Sequence, residues 1–504
     1  MNHSNLRAQT RALAAGALLG LATLPAMAAD TATETELREL IRLQAEQLRQ
    51  QSEQLQALNQ RLSAIEGGAQ AVAASPAAPA TTPGAPAADP VQAQVDAAVA
   101  DTRQDDLAIL QAQVAQLAAG GGSGGGNTSW RRGGPEFRNS DRSFTFNPRG
   151  RVLMDFSSTR GSSFDDRNIT GTNMRQVRLG AQGNIGQLGY KVDAEFANND
   201  VSISDAYLRW NTTLGAIPTE FYFGNKLKDR AIDSSTTLTR TPFMERNAVA
   251  SVGMPASGYF GLGAQMKMIG QNWHTTFGIT GDDVGNSGDN SDSLTYSFRG
   301  HVNPIKRPAG FLHVGGWYVH EEYGADTNRI NRTPRIASRF NDNVRVSASA
   351  INEVTGERVW GTELGGTWRN FWGFWEHSET TLKSDDVGDV KQKATSAYAG
   401  WLLTGERPGF SARSGVWGTT RVARPVTDGG IGAWELAVRY DDYDFTDARR
   451  GGEGDAWTLG VNWYLNNWSR VMLNYVHWTT DNQVGAYQGR DTGNSINLRT
   501  QIVF

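Results

Sequence analysis

The chain has no cysteine, which removes disulfide frameworks and thiolate metal sites. It has no strong charge of either sign. Its 48 Lys and Arg stand against 52 Asp and Glu, a formal net charge of −4, so no basic field points to nucleic acid. Beyond the first residues it has no apolar run of about 20 residues, the length a spanning helix needs. Histidines number only seven, and none stands beside a serine motif in strand context, so no nucleophile and base pair is visible. One G-x-S-x-G match, Gly121-Gly122-Ser123-Gly124-Gly125, sits in a glycine run with no strand before it and is treated as chance. Neither a metal nor a cofactor is expected, and no enzymatic activity. The acidic, Gly/Asn/Ser-rich residues 281–293 lack the spacing of an EF-hand.

What the sequence does contain is alternation. Trp434, Leu436, Val438 and Tyr440 share one face while Glu435, Ala437 and Arg439 share the other. Trp457, Leu459, Val461, Trp463 and Leu465 oppose Thr458, Gly460, Asn462 and Tyr464. Ile496, Leu498, Thr500, Ile502 and Phe504 oppose Asn497, Arg499 and Gln501. Side chains alternate sides along a strand, so each segment has one greasy and one wet face. A soluble sandwich would bury its greasy face inside. Here the wet face carries Arg and Glu, and aromatics cluster at strand ends, the pattern of a membrane barrel with an apolar exterior and a polar interior. Similar segments begin at Ser143 and recur to the C-terminus, among them 174–184, 190–196, 259–268, 273–280, 294–302, 311–320, 360–369, 371–382, 390–403 and 415–422. The expectation is an all-β transmembrane antiparallel barrel of about 16 strands over residues 143–504, wide enough for an aqueous lumen.

The N-terminal part reads differently. Residues 1–28 have the form of a signal peptide: Arg7 and Arg11, an apolar stretch, then Ala26-Met27-Ala28. Residues 29–66 predict a coiled-coil helix, with Ile41, Leu48, Leu55 and Leu62 at one core position. Residues 67–142 are an Ala/Pro- and Gly-rich linker with a weak second helix. The implied location is the bacterial outer membrane, with the N-terminal stalk in the periplasm and the cell wall as a partner it could reach.

Inward parity gathers cations: Arg149, Arg151, Arg178, Lys191, Arg209, Lys267, Arg299, Arg439, Arg470 and Arg499, with Asp155, Asp193, Asp205, Glu195 and Glu435 beside them. Rings of Arg and Lys favour anion passage, and the guanidinium fork suits phosphate or carboxylate. The carboxylates offset much of that field, so on residues alone anion preference and general diffusion stand equal. The non-alternating residues 226–257 hold Lys226, Lys228, Arg230, Arg240, Glu245 and Arg246. A loop of that length is functional or disordered, and in porin-like barrels it can fold inward and narrow the channel. The different-class readings are a barrel hydrolase and a structural tether of the envelope.

Several stretches resemble the phosphate-selective porin O and P family. They are Arg178-Leu179-Gly180 with Gly183, Tyr190-Lys191-Val192-Asp193-Ala194-Glu195-Phe196, Asp205-Ala206-Tyr207-Leu208 and Thr241-Pro242-Phe243-Met244-Glu245-Arg246-Asn247. Trp434 to Tyr440, Gly460 to Asn466 and Val471 to Val476 match it as well. The resemblance implies a homotrimeric sixteen-stranded outer-membrane channel, seated in lipid, whose third loop lines a constriction for small anions such as phosphate. Arg246 matches the family's Glu-Arg position in that loop, and Ser234 stands where the family has a lysine. The constriction residues expected are Arg246, Arg240 and Lys226, with Arg149, Arg151, Arg178 and Arg209 extending a positive track along the wall. A non-selective or dicarboxylate-type diffusion porin is the alternative solute reading.

Overall fold

A computed structural model describes residues 128–131, 133–141, 143–285, 291 and 293–504. The expected signal peptide, coiled coil and most of the linker lie outside the described residues. The ring is built from β3 (Phe144–Arg160), β4 (Thr170–Ile185), β5 (Leu188–Glu195), β6 (Ser202–Leu214), β7 (Ile217–Leu227), β8 (Phe260–Ile269), β9 (Trp273–Thr280), β10 (Leu294–Arg307) and β11 (Gly310–Glu322). It continues with β14 (Val354–Trp368), β15 (Phe371–Ser384), β16 (Gly388–Leu402), β19 (Ala433–Asp444), β20 (Glu453–Tyr464), β21 (Ser469–Asn482) and β22 (Gly489–Val503). Each strand pairs antiparallel with the next, and β22 returns to β3, with Leu498 opposite Phe156. The main sheet holds 18 strands, of which β1 (Thr128–Arg131) and β2 (Gly134–Arg138) lie outside the ring, leaving sixteen. Closure leaves the ring no unpaired edge, which a lipid-embedded sheet requires.

The predicted alternation holds on most of the wall. Val152, Met154, Phe156, Leu179, Val192, Leu208, Phe223, Leu459 and Ile496 are exposed on the outside, whereas Arg151, Asp155, Asp193, Asp205, Arg439 and Arg499 are buried on the inside. An apolar exterior this continuous is far larger than a water-soluble monomer exposes. Aromatic pairs ring both ends of that exterior. Trp434–Trp463 (5.2 Å) and Phe371–Trp401 (5.4 Å) stack near the short turns, and Tyr440–Trp457 (4.9 Å) lies toward the long loops. Such girdles sit at the two membrane–water interfaces.

Two expectations need correction. Residues 128–131 and 134–138, assigned above to the linker, form the paired strands β1 and β2, and Phe137 of β2 pairs with Phe146 of β3. The alternation is too short there to stand out from the glycine-rich sequence around it. Residues 415–422 do not form a wall strand. They lie in a segment, 403–432, that enters the lumen from the short-turn end and carries only the small hairpin β17 (Phe410–Ser411) and β18 (Val416–Trp417). The other turns at that end are two to four residues long, for example 186–187 and 465–468. The inserted segment needs an apolar floor, so β15 and β16 break the polar-inside rule. Trp372, Phe374 and Tyr398 point inward and pack with Phe410, Trp417 and Ile232.

Candidate functional site: a constriction built by inserted loops

The β7–β8 loop, residues 228–259, turns into the barrel, and its middle is almost wholly buried. It carries the short helices α1 (Ile232–Ser235) and α2 (Ala248–Val252), the second capped by the Asn247 side chain accepting from the Ala250 amide. A loop in a water-filled lumen must satisfy its backbone groups, and here the far wall does so. The amides of Ile232, Met244 and Ala248 donate to Glu376, Asn474 and Asp441 at 2.8, 2.9 and 3.0 Å. The carbonyls of Thr241, Pro242 and Glu245 accept from Arg470, Asn462 and Arg439 at 3.0, 2.8 and 2.9 Å. Many inward arginines of β19–β22 are therefore loop anchors rather than free charge.

Glu245 is the firmest anchor. Arg175 grips it with two hydrogen bonds of 2.8 and 2.9 Å, and Arg499 adds a third at 2.7 Å while also holding Asp155 at 2.7 and 2.6 Å. Burial works against the Glu245 carboxylate, yet the two guanidinium groups hold its pKa well below the usual carboxylate range. At the loop's root, burial pushes the Lys228 ammonium down to about 8. Asp233, buried beneath α1, has its pKa raised by burial.

A second inserted loop, residues 323–353, meets the first. It contains β12 (Arg329–Asn331) and β13 (Ala350–Asn352), which pair with each other. Ile336, Ala337, Val344, Val346 and Ala348 pack on α2 residues and on wall residues such as Trp317 and Trp478. Between the two loops and the wall lies a cavity of about 440 Å³. Its lining includes Arg175, Arg246, Arg332, Arg335, Arg339, Arg345 and Arg439 against Asp155 and Glu245. Arg332 is paired with Glu357, Arg439 with Asp441, and Arg335 and Arg345 with Asp342. Arg246 instead donates to the carbonyls of Asp233 and Thr236, both at 3.0 Å, and its guanidinium lies 4.8 Å from the centre of the Tyr259 ring. Burial lowers its pKa. It makes no ion pair among the described residues, and Arg339 makes neither ion pair nor hydrogen bond there. Both act electrostatically on the same Arg175 and Glu245 pair.

Of the seven predicted constriction and track residues, Arg246 alone lines this cavity. Arg240 is an exposed residue at the end of a single 3-10 turn in the same loop. Lys226 closes β7, donating to Gln265 at 3.1 Å and lying 4.9 Å from the Tyr222 ring centre. Arg149, Arg151, Arg178 and Arg209 come together on the β3–β6 wall. Arg149 binds Asp193 (3.2 Å), Arg178 binds Glu195 (2.6 Å) and Arg209 reaches Asn184 (3.2 Å). With Lys191 they make five cations against Asp193, Asp205 and Glu195, two in excess.

Sequence reasoning missed Arg175. Strict alternation from Val177 puts it outside, but a register shift between Leu153 and Met154 leaves it without a partner on β3. A bulge places two successive residues on one face. Arg175 and Gln176 thus both point inward while Met174 stays outside. The 323–353 cations were missed because a loop rich in Arg, Asn and Ser looks solvated. The signal was there in Val344, Val346 and Ala348, which alternate as a buried strand would. Among the described residues, no group of three or more His, Cys, Asp or Glu is arranged to hold a metal ion.

A closed sixteen-stranded ring with a lipid-compatible exterior and a loop-narrowed, ion-laced lumen defines an outer-membrane porin. Residues 146–504, well over half the chain, match the family model "Phosphate-selective porin O and P", and the chain belongs to that family. Porin O of Pseudomonas aeruginosa is 26% identical over 409 residues, covering 74% of this chain and 91% of that protein. An uncharacterised protein of Caulobacter vibrioides is 28% identical over 368 residues, covering 69% of this chain and 70% of the other. Among solved structures, OmpT of Vibrio cholerae matches at 13% identity and TM-score 0.47, over 72% of this chain and 98% of that one. An anion-selective porin from Comamonas acidovorans matches at 13% identity and TM-score 0.45, over 72% of this chain and all of the other.

Proposed function

We propose that the lumen conducts small anions, phosphate among them, down their gradient, and that Arg246 and Arg339 set the preference at the narrowed level. The observation that carries this reading is the pair of cavity arginines with no ion-pair partner among the described residues, in a site where every other lining arginine contacts a carboxylate. A guanidinium that is not already saturated can exchange hydration of a passing phosphate for paired donors, and the carboxylates on its neighbours keep the hold weak enough for release. Arg149, Arg151, Arg178, Arg209 and Lys191 would continue the positive field along the β3–β6 wall, with Lys226 beside them and Arg240 on the loop. No covalent step is required. A homotrimer is part of the proposal, supported by the family and by the heptads at Ile41, Leu48, Leu55 and Leu62.

Phosphate added to protein in a planar bilayer is expected to reduce the potassium chloride current in a saturable manner. Arg339→Ala, at an exposed position, is expected to weaken that block by about tenfold, the loss of one charge-assisted pair of about 1.4 kcal/mol. Block that is absent in the unmodified protein, or unchanged in Arg339→Ala, would remove these arginines from the solute path.

A further inference from the structure

Three histidines on neighbouring strands stack on the inner wall: His274 of β9, His301 of β10 and His313 of β11. Their ring centres are 5.2 Å (His274 to His301) and 4.7 Å (His301 to His313) apart, and all three are buried. Each Nε2 is engaged, with Thr276 Oγ1 at 3.2 Å, the Ala412 carbonyl at 3.1 Å and Glu363 Oε2 at 2.9 Å respectively. Among the described residues, no Nδ1 of the three has a hydrogen-bond partner. For His301 the tautomer follows from chemistry. A carbonyl can only accept, so Nε2 carries the hydrogen and Nδ1 presents a bare lone pair.

This stack is where the segment 403–432 is fastened. Besides the His301 bond to Ala412, Arg299 Nη2 donates to the Gly415 carbonyl at 2.6 Å, and the His313 ring packs edge-on against Phe410 at 5.7 Å. The Trp417 amide donates to Thr236 Oγ1 at 3.1 Å, tying the segment to the constriction loop. A Cβ on Gly415 would stand 2.7 Å from His301 Nδ1, so the space beside that nitrogen is filled by the segment's own backbone. The charges around the stack already balance. Lys267 of β8 and Arg299 of β10 face Asp229 of the constriction loop and Glu363 of β14. Lys226 of β7 acts on Asp229, Glu376 of β15 acts on Arg299, and Asp233 of the loop acts on Glu376. Arg413 of the segment is exposed.

We propose that His301, at the centre of this stack, is a proton-operated latch that holds residues 403–432 in the lumen and lets them go in acid. The proposal rests on the channel reading above. A proton added at Nδ1 puts a new donor against backbone with no acceptor, and a positive charge beside Arg299 and Lys267. Withdrawing the segment admits water to the imidazole and relieves both costs. Latching persists above the ordinary imidazole range near 6.5, and acid favours release.

The test compares the protein with its His301→Gln variant, whose amide can still donate to Ala412 but cannot titrate. Channel conductance in potassium chloride is expected to rise at least about twofold from about pH 7.5 to about pH 5, reversibly, in the unmodified protein only. The absence of cysteine makes Ser414→Cys a unique label site. At about pH 5 its modification by a thiol reagent is expected to be at least about tenfold faster with His301 than with glutamine there, and at about pH 7.5 the two backgrounds are expected to label alike. Equal labelling of the two backgrounds in acid, a flat conductance, or the same rise in His301→Gln would overturn the latch. His301→Asn serves if His301→Gln fails to assemble. A protein that forms no channel at any pH counts against the porin reading, and the labelling comparison then still decides the latch.

Discussion

Arg246→Glu is expected to lower the chloride-to-potassium permeability ratio of the channel by roughly tenfold. The change moves two unit charges at the cavity wall. At about 10 Å and the bulk-water dielectric near 80, that is about 0.8 kcal/mol for each monovalent ion, opposite in sign for chloride and potassium, and so about 1.7 kcal/mol in the ratio. The effect should shrink as salt rises, because the screening length is about 10 Å at 0.1 M. Arg246→Gln separates charge from anchoring, since an amide can still donate to the Asp233 or Thr236 carbonyl. It is expected to give about half of the shift in free energy, roughly threefold in the ratio. Reversal potentials across a salt gradient measure both. A ratio unchanged in both variants would mean that ions pass without sensing the loop.

The largest loss of stability is expected from Arg499→Gln. Arg499 is fully buried and its guanidinium serves Asp155, Glu245 and the Met244 carbonyl together. Glutamine leaves the Asp155 carboxylate buried without its cation, a change that costs about 3–5 kcal/mol where such pairs have been broken. Glu245 keeps Arg175, so the loop should loosen rather than leave, and open-channel noise should increase. Denaturant unfolding in detergent would read the loss. Arg499→Met combined with Asp155→Leu removes both charges and is expected to recover much of it. A single-variant loss below about 1 kcal/mol would show the clamp to be ornamental rather than structural. The clamp should also survive the mild acid used on the histidine latch. Because the Glu245 pKa is depressed, its contribution is present above the ordinary carboxylate range and fades only as pH falls through the lower folded value. Acid release of the 403–432 segment is thus separable from collapse of the constriction.

The barrel was legible because the bilayer imposes one rule on every strand. Leu459 and Val461 must face lipid and Thr458 and Asn462 must not, whatever the lumen does. The lumen obeys no such rule, and the reading failed there in instructive ways. Inward Arg470 and Arg499 look like ring charges in the sequence, yet they are spent on loop carbonyls and carboxylates. Arg175 was hidden by a bulge, which moves a side chain to the other face without any change in composition. Residues 415–422 carry a strand-like apolar pattern because Trp417 packs on an interior apolar floor rather than on lipid. The clue was on their partners: Phe371 with Trp372, and Phe374 with Trp375, are apolar on both faces of one strand. A wall strand that is greasy on both sides must be covered on the inside. Arg246 was legible through the motif that surrounds it, and Arg339 was not, because the alternation of Val344, Val346 and Ala348 marks the 323–353 loop as buried without showing which of its arginines faces the lumen.

The most direct measurement is the zero-current potential of the purified, unmodified protein in a planar bilayer separating concentrated from dilute potassium chloride. The account predicts steady channels and a potential of the sign set by faster chloride passage. Steady channels with the opposite sign, set by faster potassium passage, would contradict it.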